Sequence, residues 1–138
     1  MSALSNLNWL HILVATIAYF IIGAIWYSFL FQKPWIRYHN IDMNNPEGKK
    51  GVGIIMFTSF IWTFITVTAL AVLISKISLD GGILSAVKIG LLTGVCFSAI
   101  AISTTYLYLK KPLALHLIDG GYHIAGQIVA AIILGVWR

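Results

Sequence analysis

Four stretches of this chain, at about residues 9–31, 53–75, 82–109 and 113–137, are long and apolar enough to cross a membrane. A hydrocarbon core ~30 Å thick takes about 20 helical residues. A spanning segment must also satisfy its own backbone hydrogen bonds, which leaves helices or a closed barrel, and no alternating barrel pattern is present. The sequence therefore predicts an all-α polytopic membrane protein: one domain over residues 1–138, with four transmembrane helices in an antiparallel bundle. Two very short links, Lys76 to Gly81 and Lys110-Lys111-Pro112, force successive helices to be antiparallel neighbours.

Composition agrees. The 138 residues are 59% hydrophobic and 9% charged, too few charges for the water-facing surface of a soluble domain. The net charge of +5 raises nucleic acid as a partner, but the cations sit at the ends of apolar runs, where helix anchors belong. The expected partner is the lipid bilayer and not nucleic acid. The single cysteine, Cys96, lies inside an apolar stretch, so a disulfide framework and a cysteine zinc site are excluded. Residues 1–8 hold no Lys or Arg, and the first apolar run outlasts a signal-peptide core without a cleavage pattern after it. The first span is expected to be retained.

The one sizeable connection, residues 32–52, begins with aromatics mixed with cations, as a segment at headgroup level does, and ends in turn residues. Lys33, Arg37, Lys49, Lys50, Lys110 and Lys111 fall on one side of the membrane. Lys76 and Arg138, with Lys88 slightly inside, fall on the other. The positive-inside rule then predicts a cytoplasmic 32–52 loop and both termini outside.

The fourth span is not an ordinary one, because it contains His116, Asp119, Gly120, Gly121, Tyr122, His123 and Gln127. An ionisable group in hydrocarbon costs roughly 2.5–3.5 kcal/mol on insertion scales, so it persists where it is paired or used. At 100° per residue, His116, Asp119, His123 and Gln127 fall within roughly an 80° arc, with Asp119 ~9 Å deep and His123 near the midplane. A carboxylate beside imidazoles can relay protons, since histidine titrates near neutral pH. His116, Asp119 and His123 could contribute to a metal site, though one helix rarely supplies a full set. A polar stripe can also bind a small polar ligand, or simply hydrogen-bond a neighbouring helix. Gly120-Gly121 either weakens the helix or admits close approach of another backbone.

Two other spans reach the same level with polar groups. Trp26, Tyr27 and Ser28 end the first, and Ser103, Thr104, Thr105 and Tyr106 lie near the end of the third. They outline a pocket between spans one, three and four. An aromatic belt, with hydroxyls bonded to their own backbone, would give the same pattern. Ala86, Gly90, Gly94 and Ser98 form a small-residue stripe for close helix packing, within the bundle or between two copies. Lys88 is read as snorkelling, with Gln127 at a depth where it could pair. Ser59, Thr63 and Thr66 make a mildly polar face on the second span. No phosphate loop, nucleophile motif or H-E-x-x-H is present, so no catalytic residue and no cofactor is expected.

Gly23-Ala24-Ile25-Trp26-Tyr27-Ser28 with Lys33-Pro34-Trp35, and Leu117-Ile118-Asp119-Gly120-Gly121-Tyr122-His123 with the ending Leu134 to Arg138, resemble the small bacterial membrane proteins grouped as domain of unknown function 1761. Proline often follows the W-Y-S element there, whereas here Phe29 does. The resemblance covers essentially the whole chain. It implies a four-helix protein of the bacterial cytoplasmic membrane with two functional patches, Trp26-Tyr27-Ser28 and Asp119-Tyr122-His123, and no established activity. Two functions stay open: a small homo-oligomeric transporter or channel for a proton or polar solute, and a scaffold or accessory subunit whose polar cluster only specifies packing.

Overall fold

A computed structural model describes residues 2–42, 44–77 and 79–137. Two cations counted for orientation, Arg138 and the Lys49 side chain, lie outside the described residues. The chain is an all-α polytopic membrane protein, with no strand among the described residues. A short α1 (Ser2–Ser5) precedes the first span, α2 (Trp9–Ile25), which continues through a π turn at Trp26–Leu30. Then come α3 (Gln32–His39), a 3₁₀ turn at Pro46–Lys49, and the second span α4 (Val52–Lys76). The third span is α5 (Ile83–Thr93), a π turn at Gly94–Ala99 and α6 (Ile100–Tyr108); the fourth is α7 (Leu113–Val136).

The ends follow local chemistry. The Asn8 side chain accepts from the backbone N–H groups of Leu10 and His11 at 3.1 and 3.3 Å and so caps α2. Asn40, a residue that tolerates the left-handed region, ends α3 at φ 54°. His11 stacks on Trp137 with ring centres 4.2 Å apart, which places the start of the first span and the end of the fourth at one end of the bundle.

The fourth span is the hub. In its most apolar stretch 44% of the residues are buried, against 17–22% in the other three, so those turn most of their surface outward. The core joins Ile12, Ala15 and Tyr19 of α2 to Val67, Leu70 and Ile74 of α4 and to Ala130, Ala131 and Leu134 of α7. Large apolar side chains such as Ile54, Phe57, Trp62 and Phe97 are exposed, an arrangement costly in water and suited to a bilayer.

The small-residue stripe lies inside the bundle. A Cβ on Gly90 would stand 2.6 Å from the Ile128 Cα, and one on Gly94 2.7 Å from the Ile124 Cα, so the third and fourth spans touch backbone to backbone. Ala86 borders Gly135 in the same seam. Ser98 completes it by accepting a hydrogen bond from the Gln127 amide. Residues spaced by four drift about 40° per step on a regular helix, about 120° from Ala86 to Ser98. The π turn at Gly94–Ala99 widens the helix there and keeps the stripe on its partner. The expectation of Gln127 as a partner for Lys88 is corrected: Ser98 takes that amide, and Lys88 is exposed.

Candidate functional site

The 32–52 connection is not a plain loop, because it contains α3, and α3 brings two residues to the site. Pro34 is tolerated in the first turn, where a missing N–H costs little. Trp35 and His39, spaced i and i+4, share the face turned toward α7, while Lys33 and Arg37 are exposed. At the end of the first span the bond from the Phe31 N–H to the Trp26 carbonyl, 2.9 Å long, closes a π turn. That wider turn reduces the angle between neighbouring side chains, so Trp26 and Tyr27 both face α7. The Trp26 indole donates to the Ile118 carbonyl at 2.9 Å, with its ring over Gly121, where a Cβ would lie 3.0 Å from it. Gly120 and Gly121 thus sit in an unbroken helix and admit neighbouring side chains; they do not interrupt it.

Asp119 is the centre of what these elements assemble. It is 7% exposed and accepts three hydrogen bonds. Tyr27 donates to Oδ1 at 2.5 Å, the Trp35 indole donates to the same oxygen at 3.2 Å, and the Tyr106 hydroxyl donates to Oδ2. His39 Nε2 lies 3.9 Å from Oδ2, enclosed and without a hydrogen-bond partner among the described residues. These groups wall a cleft of about 360 Å³, lined also by Ile102, Thr105 and His123.

The predicted cluster on the fourth span divides. Asp119 and His123 line the cleft. His116 lies outside that lining, against the Tyr106 ring at 5.6 Å, and Gln127 belongs to the helix seam. Tyr122 packs edge-on against Tyr19 and Tyr27, with ring centres 5.5 and 5.3 Å apart. Ser28 is exposed and turned into a separate recess shared with Met56 and Ser59. Thr104 and Thr105 are exposed, and their hydroxyls return to the Ile100 and Ala101 carbonyls at 2.9 and 3.2 Å. Neither hydroxyl reaches Asp119; Tyr106, one residue on, does. On the second span, Thr63 and Thr66 likewise bond the Ser59 and Trp62 carbonyls. The metal expectation for His116, Asp119 and His123 is not met, since no three His, Cys, Asp or Glu residues are grouped to hold an ion among the described residues.

Sequence reading missed Trp35 and His39 as site residues. Their signal was present in the i, i+4 spacing of two ring side chains that alternate with the exposed cations Lys33 and Arg37. Deeper in, Tyr19 and His123 Nδ1 share a hydrogen bond of 2.7 Å. One further polar group follows, the buried Gln127, which interacts with Tyr19 and donates its amide to Ser98, while the hydroxyl of Thr16 is given to its own backbone at Ile12. Beyond it Ile12, Ala15, Val67, Leu70, Ala130 and Ala131 are buried together.

Compared with known proteins, residues 10–135 match the model of a family described as a protein of unknown function (DUF1761). No curated protein and no solved structure matches the chain.

Proposed function

We propose that this chain, which belongs to the DUF1761 family of proteins of unknown function, is a membrane-integral binding protein whose one-sided site is the Asp119 cleft. The observation that carries this reading is a carboxylate in the wall of a cleft of about 360 Å³ at one end of the bundle. That volume is at the lower end of the roughly 300–1,000 Å³ typical of small-molecule sites. Passage across the membrane draws less support. Among the described residues the polar run Asp119, His123, Tyr19, Gln127, Ser98 gives way to the apolar core, so a single chain in this conformation favours binding over conduction.

The scaffold reading is favoured by a different aspect of the same atoms. Asp119 ties the end of the first span, α3 and α6 to α7 through three bonds, which is a good clasp. A clasp alone needs no open volume beside it, and the cleft tips the balance toward a ligand. The excess of Lys and Arg in the 32–52 and 110–111 connections supports a mouth on the cytoplasmic side of a bacterial inner membrane. Because the small-residue seam is filled by α7, a homo-oligomer would have to use other surfaces.

The test replaces Thr105, which lines the cleft, by cysteine in a Cys96→Ala background. A membrane-impermeant maleimide should label Thr105→Cys from the cytoplasmic face of inverted vesicles and not from the outer face of spheroplasts. Labelling from neither face, in protein that reacts once it is denatured, would refute an open cleft.

A further inference from the structure

The Asp119 site has an unusual imbalance. Three neutral donors supply hydrogen bonds and no charge, and the nearest basic nitrogen among the described residues, His39 Nε2, stands 3.9 Å away with no hydrogen bond to them. A carboxylate held in low dielectric without a bonded cation attracts one strongly. The kind of cation follows from the walls. The rings of Tyr27, Trp35, His39 and Tyr106 succeed one another around Asp119 with centres 5.6, 4.6 and 6.2 Å apart. Their planes turn by 67°, 54° and 66° from each to the next, so the rings do not form a parallel stack. Small hydrated metal ions require a shell of oxygen ligands, and most of this wall is carbon. Ring faces attract a different class, cations whose charge is spread over alkyl groups and weakly hydrated.

Resting on the binding reading above, we infer that the cleft takes a compact substituted ammonium group, its charge at Asp119 and its alkyl groups against Tyr27, Trp35 and Tyr106. The same chemistry arrives either as a free solute or as the headgroup of a zwitterionic phospholipid. Exposed Lys33, Arg37 and Lys110 at this end would repel a free cation and hold a phosphate, which favours the headgroup.

The experiment is equilibrium dialysis of labelled tetramethylammonium against the purified full chain, delipidated in neutral detergent. Saturable binding is expected, with choline competing and its neutral isostere 3,3-dimethyl-1-butanol failing to compete. Trp35→Leu, which removes a wall on the peripheral α3, should weaken binding by about tenfold or more. Phosphocholine competing better than choline assigns the lipid headgroup, and the reverse order assigns a free solute; either order supports the ammonium class. Competition by the neutral isostere equal to that of choline overturns it, and so does absence of saturable binding by the folded wild type. Neither result touches maleimide labelling at Thr105→Cys, so failure of the ligand class is separable from failure of the cleft reading.

Discussion

Replacing Tyr27 by phenylalanine tests whether Asp119 acts as a charged acceptor. The substitution removes one hydroxyl and leaves the ring, which stays packed against Trp35 at 5.6 Å and Tyr122 at 5.3 Å, so no cavity opens. What is lost is the 2.5 Å bond to Asp119 Oδ1, leaving that oxygen with the Trp35 indole at 3.2 Å. Two magnitudes compete. Polar contacts between membrane helices average about 0.6 kcal/mol and reach about 1.7. Hydrogen bonds to a charged group contribute about 1.5–3 kcal/mol. If Asp119 is the acceptor-only carboxylate its three donors describe, Tyr27→Phe should cost about 2 kcal/mol, near the charged range.

The assay is reversible unfolding in mixed micelles, read by far-ultraviolet circular dichroism, as a double-mutant cycle with Asp119→Asn. In the asparagine background the bond joins two neutral groups, and Tyr27→Phe should cost no more than about 0.6–1 kcal/mol. The difference, a coupling of about 1 kcal/mol or more, reports the charge at Asp119. Equal costs in the two backgrounds, within about 0.5 kcal/mol, would refute the charged acceptor and weaken the case for a cation in the cleft.

Gly90→Ala should destabilise by about 1–3 kcal/mol in the same unfolding assay, because its Cβ would meet the Ile128 Cα at 2.6 Å and the Gln127 carbonyl at 2.7 Å, backbone that cannot step aside. Gly53→Ala on the same measurement should be neutral or stabilising by up to about 1 kcal/mol, since nothing among the described residues lies within 4 Å of its Cβ and alanine favours the helix. Thr104→Val should change stability by less than about 0.5 kcal/mol and leave tetramethylammonium binding intact, because that hydroxyl is spent on the Ile100 carbonyl. Gly121→Ala should cost about 1–2 kcal/mol by pressing on the Trp26 ring, and Trp26→Phe in the same chain should recover part of the loss, as thermal melts would record.

The four spans were legible because a bilayer imposes a length. Predicted limits of 9–31, 53–75, 82–109 and 113–137 meet observed limits of Trp9–Leu30, Val52–Lys76, Ile83–Tyr108 and Leu113–Val136 to within about a residue. Hydropathy is blind to what happens inside a span, and both π turns were invisible to it. The stripe Ala86, Gly90, Gly94, Ser98 carried the clue in the third span. A strict spacing of four cannot stay on one face of a regular α-helix over three steps. The π turn at Gly94–Ala99 offsets part of that drift at its last step.

The site was half legible, and the missing half has a physical cause. A helical wheel groups residues by angle, but what a face meets depends on height. At the level of Asp119 and His123 a cleft remains beside the third span, whereas near Gln127 the backbones touch at Gly90 and the amide turns to Ser98. His116 shares the angle but lies against the Tyr106 ring, outside the cleft lining. The partners of Asp119 came from segments whose placement the wheel does not address: a π turn that aims Tyr27, and α3, an eight-residue amphipathic helix that lays Trp35 and His39 over the carboxylate. An ionisable residue in a span predicts that partners exist, because leaving it bare is too costly. It does not say where they lie. Here each came from an aromatic side chain at or near the membrane face, where an aromatic-rich connection would ordinarily be read as an anchor in the headgroups. The distinction between anchor and site is decided by the carboxylate beneath. An aromatic that only anchors keeps its polar edge in the interface, whereas Trp35 directs its indole N–H to Asp119 Oδ1.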